Sequence, residues 1–129
     1  MVKDAGADVT HIDMRDFEMP LYDGDDEAQN AIPANAIKLK NIFVEHDGFF
    51  IASPEYNSSI APLVNNTLDW LTRPHEENEP PLVAFNGKFA ALGAVPPGGL
   101  GGAAHDVGEY RRHRGADTSR DQFWHESIW

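Results

Sequence analysis

Two short apolar runs, and the pattern between them, constrain this chain most. "DGFFIAS" (47–53) and "GKFAALGAV" (87–95) are compact and bounded by glycine or proline, and both are short for a helix. Runs of this kind read as strands covered on both faces, as in a parallel sheet. Between them Ile60, Leu63, Val64, Thr67, Leu68 and Leu71 recur at helical spacing and form one apolar stripe. Pro62 suits the first turn of that helix, Ser58 or Ser59 can cap it, and Arg73-Pro74 closes it. Strand, helix, strand in this order implies a crossover connection, and so an α/β fold with a parallel sheet.

Upstream the pattern is looser. Alternation in "ADVTHIDMRDF" (7–17) suits another short strand. From Ala28 to about Glu45 the spacing is helical, through Ile37, Leu39, Ile42 and Val44, with Pro33 in an early turn. The acidic clusters "DGDDE" (23–27) and "HEENE" (75–79) sit among turn residues and read as solvated loops.

The chain has 129 residues, which suits one domain with a real core. A net charge of −11 disfavours nucleic acid and anionic membranes, whose phosphates it would repel. No run approaches the ~18 apolar residues of a membrane span. "MVKDAGADVT" lacks the apolar stretch of a signal peptide, and the chain has no cysteine for disulfides or thiolate chemistry. These features together point to the cytoplasm.

In open α/β sheets, ligands sit beyond the carboxyl ends of strands, on the loops leading into helices. "SPEYNSS" (53–59) and "PPGGLGG" (96–102) occupy such positions. The first offers backbone N–H groups, an aromatic ring and an amide. The second offers bare backbone that can approach a flat ligand closely. Taken singly, each also fits a plain structural turn or linker.

Taken together they carry a resemblance. "SPEYNSSIAPLVNNTLDWLTRP" (53–74) closely resembles the signature of the NADPH-dependent FMN reductase family, which includes quinone, chromate and azo-dye reductases. "DMRDFEMPLYDGD" (13–25) is similar to that family's second strand and its exit loop, and the likeness covers roughly residues 5–102. It implies a flavodoxin-like three-layer parallel sheet, non-covalent FMN, and NAD(P)H as hydride donor. A quinone, free flavin or other small molecule would be the electron acceptor, and the protein would assemble as a homo-oligomer, dimeric or tetrameric. By the same resemblance Pro54, Glu55, Tyr56 and Asn57, with Ser58 in the same turn, would line the edge of the isoalloxazine ring. Gly98, Gly99, Gly101 and Gly102 would form a second wall. The cofactor carries the chemistry in such enzymes, so no side chain is assigned a catalytic role.

Two departures from the pattern stand out. The family's phosphate loop, which reads like GSxRxxS after the first strand, has no counterpart here, and the chain opens at "KDAGADV", similar to the end of the family's first helix. The expected sheet is therefore incomplete, without its first strand, and FMN affinity should be weak. Beyond Gly102 no last strand is recognisable. Residues 1–102 read as a partial reductase domain, and 103–129 as an atypical segment, from a shifted reading frame or disordered. The alternative function is a non-catalytic fragment of such a reductase that binds no flavin.

Other constellations carry less. His11, His46, His75, His105, His113 and His125 show no metal-ligand spacing, and Ser53, Ser58 and Ser59 lack a nucleophile elbow. "YRRHR" (110–114) is a short basic patch on an acidic chain. Trp70 lies off the apolar stripe, so it is expected to pack against a neighbouring subunit or strand rather than a cofactor.

Overall fold

The computed structural model describes residue 3 and residues 6–95. Gly98, Gly99, Gly101, Gly102 and the whole of 103–129 lie outside the described residues. The chain divides into two compact units, Met1–Phe50 with Pro62–Ala91, and Ile51–Ala61 with Leu92–Trp129.

In the first unit, residues 7–13 do not form the expected strand. The described sheet has three strands in the order β2-β1-β3, where β1 is Gly48–Tyr56, β2 Ser59–Ile60 and β3 Phe89–Val95, and none of these is residues 7–13. An extended segment needs a ladder partner to satisfy its backbone. Here the chain turns instead. The Asp13 carboxylate accepts the Arg15 N–H at 2.9 Å and caps a 3-10 turn, Met14–Asp16. The Arg15 guanidinium beside it holds the Asp13 carboxyl well below the usual carboxylate range.

"DGDDE" is a helix start rather than a loop. Asp23 accepts N–H groups from Asp25 and Asp26 and caps α1, Gly24–Asn30, whose first turn is acidic as the helix dipole favours. The single helix expected from residue 28 is also two. Ala31 closes α1 at φ 60°, and Pro33, which has no N–H to continue a helix, precedes α2, Ala34–Glu45. The inward face of α2 is Ala36, Leu39, Lys40 and Phe43, while Val44 is exposed.

Helix α3, Pro62–Thr72, starts on its proline as expected. Its buried residues are Val64, Thr67, Trp70 and Leu71, whereas Leu63 faces out. The inward face is thus rotated by about one position from the stripe, and Trp70 is in the interior of its own unit. The indole Nε1–H donates to the Pro20 carbonyl at 2.8 Å, and the ring meets Tyr22 edge-on at 5.0 Å. Leu39, Phe43, Leu71 and Ala84 centre the core. Phe43, Phe49 and Phe85 pack around it as three mutual ring pairs, 5.1–5.9 Å apart.

Strands β1 and β3 leave from one point. The Phe89 N–H donates to Asp47 O at 3.0 Å, and a Cβ on Gly48 would stand 2.8 Å from Phe89 O, so only glycine admits this approach. Both strands run onward from there, so they are parallel, with α3 as the crossover between them. The expectation of two covered faces fails, since Phe50 and Phe89 are 64% and 67% exposed. Along β1, residues 50, 52, 54 and 56 face out while 49, 51, 53 and 55 are partly or fully covered.

Candidate functional site

The second unit is described at 51–61 and 92–95. The apolar run does not stop at Ser53: β1 continues through Pro54 and Glu55 to Tyr56, turns in two residues, and returns as β2. Glu55 pairs with Ile60 and Tyr56 with Ser59, antiparallel. The turn residues Asn57 and Ser58 have φ 52° and 63°. A two-residue hairpin turn with both φ positive is of type I′, which suits Asn at the first position and would favour Gly at the second. "SPEYNSS" is therefore a hairpin tip and not a simple strand-to-helix loop.

Ser53, which the sequence suggested only as an improbable nucleophile, fixes the base of this hairpin. Its hydroxyl donates to Pro54 O at 2.9 Å and accepts the Ala61 N–H at 3.2 Å, at 6% exposure. One buried oxygen thus ties the outgoing strand to the end of the returning one. Pro54, Tyr56, Asn57 and Ser58 are exposed, with Tyr56 at 56%. Glu55 points to the other, partly covered face, and its Oε2 is buried with no hydrogen-bond partner among the described residues.

The hairpin lies at the carboxyl end of a parallel strand, and β3 reaches its own carboxyl end, Val95, running in the same direction. Val95, the last described residue, thus stands at the same end of the sheet as Tyr56, where α/β proteins hold ligands.

The residues present fit one part of FMN. The N–H groups of the two turn residues lie outside the strand ladder and suit the carbonyls and nitrogens of a flavin edge. Tyr56 supplies an exposed ring. Residues 51–61 contain no Lys, Arg or His, so nothing in the hairpin suits a phosphate dianion. Among the described residues no cluster of metal-ligating side chains occurs, and no helix is long and apolar enough to cross a membrane.

The NADPH-dependent FMN reductase family model matches residues 1–109, and the chain belongs to that family. A quinone reductase of Escherichia coli (strain K12) is 34% identical over 86 residues, covering 67% of this chain and 43% of that protein. A 2-hydroxy-1,4-benzoquinone reductase of a Burkholderia species is 32% identical over 85 residues, covering 66% and 43%. Among solved structures, the flavoenzyme NAD(P)H:(acceptor) oxidoreductase FerB of Paracoccus denitrificans superposes with a TM-score of 0.57 at 30% identity, covering 74% of this chain and 50% of FerB. The fold is α/β and flavodoxin-like with an incomplete sheet. The chain spans less than half the length of these curated relatives.

Proposed function

We propose that this chain carries the ring-binding part of an NAD(P)H-dependent flavin or quinone oxidoreductase. The observation that carries the reading is the Pro54–Ser58 hairpin tip, which bears the family signature at the carboxyl end of a parallel strand. The names of relatives that reduce quinones or FMN support the same chemistry. When bound, FMN supplies the two-electron step, taking hydride from NAD(P)H and passing it to a quinone-type acceptor.

The protein's own part is binding and orientation. Asn57 and Ser58 present N–H donors to the polar edge of the ring, where donors also favour the negative charge of the reduced state. Tyr56 and Pro54 give it an apolar flank. Gly98, Gly99, Gly101 and Gly102 complete the wall in this reading by admitting close approach. The Ser53 hydroxyl holds the hairpin in shape.

The test is titration of the full chain with FMN, followed by flavin fluorescence, and then NADPH oxidation with a benzoquinone as acceptor. Quenching and quinone-dependent oxidation are expected. Tyr56→Ala should weaken FMN binding roughly five-fold, the order of one lost ring contact. A chain that leaves FMN fluorescence unchanged defeats the reading.

A further inference from the structure

The turn at 81–87 leads into β3 and ends in Asn86-Gly87, where Asn86 is the only asparagine of the chain followed by glycine. Three hydrogen bonds close it. The Leu82 carbonyl accepts the N–H groups of Phe85 and Asn86 at 2.8 and 2.9 Å, and Asn86 Nδ2 donates to Pro81 O at 2.6 Å. Leu82 stands at φ 56°, which strains an L side chain, so the Asn86 clip holds a turn the backbone alone disfavours. The turn carries part of the core. Ala84 is fully buried, and the Phe85 ring packs on Phe43 and Phe49.

Gly87 is exposed, at φ 74°, with open space where a side chain would stand. Among the described residues no group accepts its N–H. Asparagine is thermolabile because its side-chain amide carbon lies within reach of the next backbone nitrogen. A side chain on that next residue hinders the approach, and glycine has none. We infer that Asn86-Gly87 is a site of spontaneous covalent modification, where the amide closes to a cyclic imide and then opens to isoaspartate, and that this conversion unlocks the 81–86 turn.

The Gly87 nitrogen bonds to Asn86 Cγ as the Cγ–Nδ2 bond breaks, and the Gly87 amide proton leaves with Nδ2 as ammonia. Water then opens the imide at either carbonyl, giving isoaspartate or aspartate, with no change of oxidation state. Either product puts a carboxylate where a donor faced Pro81 O, so two acceptors meet and the clip is lost. Isoaspartate also adds one carbon to the main chain just before Lys88 and Phe89. Those two residues fix the start of β3: Lys88 Nζ donates to Val44 O at 3.0 Å and His46 O at 2.6 Å, and the Phe89 N–H donates to Asp47 O at 3.0 Å.

The experiment incubates the full chain at neutral and mildly alkaline pH. Peptide mapping by mass spectrometry and enzymatic methyl transfer to isoaspartyl carboxylates follow the products. Wild type should gain one negative charge and an isoaspartyl label at position 86, faster at the higher pH, where the Gly87 nitrogen loses its proton more readily. Asn57, followed by Ser58, is the internal comparison and should convert more slowly. Asn86→Gln should lose the label. Freshly prepared Asn86→Asp carries the second product from the start, and should melt roughly 3–6 °C lower than wild type, the order of one lost hydrogen bond in a small domain. If the label falls on other positions and not on 86, or Asn86→Gln ages like wild type, the site is overturned. If Asn86→Asp melts with wild type, the turn does not depend on the clip and the unlocking is overturned.

Discussion

Lys40 and Glu55 are both ionisable side chains with buried charged atoms, and the chain treats them differently. Lys40, on α2, is 2% exposed. Its ammonium donates to Arg73 O at 2.6 Å and to the Glu79 carboxylate. Glu79 also accepts the His75 N–H at 3.1 Å, and His75 Nδ1 lies 2.7 Å from the same carboxylate oxygen. A second clip runs from Arg73 to α1: its guanidinium donates to Glu27 at 2.9 Å and lies over the Tyr22 ring, whose hydroxyl also donates to Glu27. In the first unit, then, long-range ion pairs answer buried charge from within. In the hairpin, Glu55 Oε2 is buried with no partner among the described residues. Backbone strain does not separate the two regions, since positive φ at non-glycine residues occurs at Asn57 and Ser58 in the hairpin and at Ala31, Asn78 and Leu82 in the first unit.

The largest effect that would sharpen this contrast is at Lys40. Lys40→Met should cost about 3–5 kcal/mol in urea unfolding, because it strands the buried Glu79 charge. Pairing it with Glu79→Leu should restore most of the loss. If the single variant is as stable as wild type, the clip is ornamental and the contrast with Glu55 fails. The pH dependence has a definite sign. Burial pushes the Glu79 carboxyl up, but the Lys40 and His75 donors outweigh it, and the group titrates below its ordinary 4.5. A lowered folded pKa contributes stability that is present above pH 4.5 and is lost as pH falls through the folded value. Glu79→Gln should therefore remove part of the acid limb of the stability curve.

Trp70 comes next. Trp70→Phe keeps a ring in the core but removes the donor to Pro20 O, an acceptor that Asn66 Nδ2 still reaches at 3.0 Å. The expected loss is about 1–2 kcal/mol by thermal unfolding. No loss would mean that the 20–22 segment is held by Asn66 alone.

The sequence reveals local pattern well and long-range pairing poorly. Both long strands and α3 follow from short apolar runs and helical spacing, and the proline that opens α3 follows from its missing N–H. The hairpin does not, because Asn-Ser carries a weaker turn signal than Asn-Gly and β2 is only two residues long. "DGDDE" and "HEENE" look solvated because their partners, Arg73 and Lys40, lie 46 and 39 residues away in sequence. Lys40 itself breaks the apolar stripe of α2, so a pattern reading passes over the most informative residue on that helix. At the site, the signature points to the right segment, but the orphaned oxygen of Glu55 becomes visible only once the burial alternation of β1 is known.

The smallest effect tests the hairpin itself. Ser58 occupies the second position of the turn at φ 63°, where an L side chain is strained and glycine is not. Asn57, at φ 52°, is in a conformation Asn tolerates through local hydrogen bonding. Ser58→Gly should relieve strain of order 1 kcal/mol and return part of it as unfolded-chain entropy, for a net gain of about half a kcal/mol. The backbone N–H is unchanged, so FMN affinity should stay within about two-fold if Ser58 acts through its backbone. Asn57→Ala, by contrast, should lose about 1 kcal/mol, because alanine has no side chain to support a positive φ. If Ser58→Gly destabilises the protein in chemical unfolding, the turn is not left-handed at that position. The donors assigned to the ring edge would then point elsewhere.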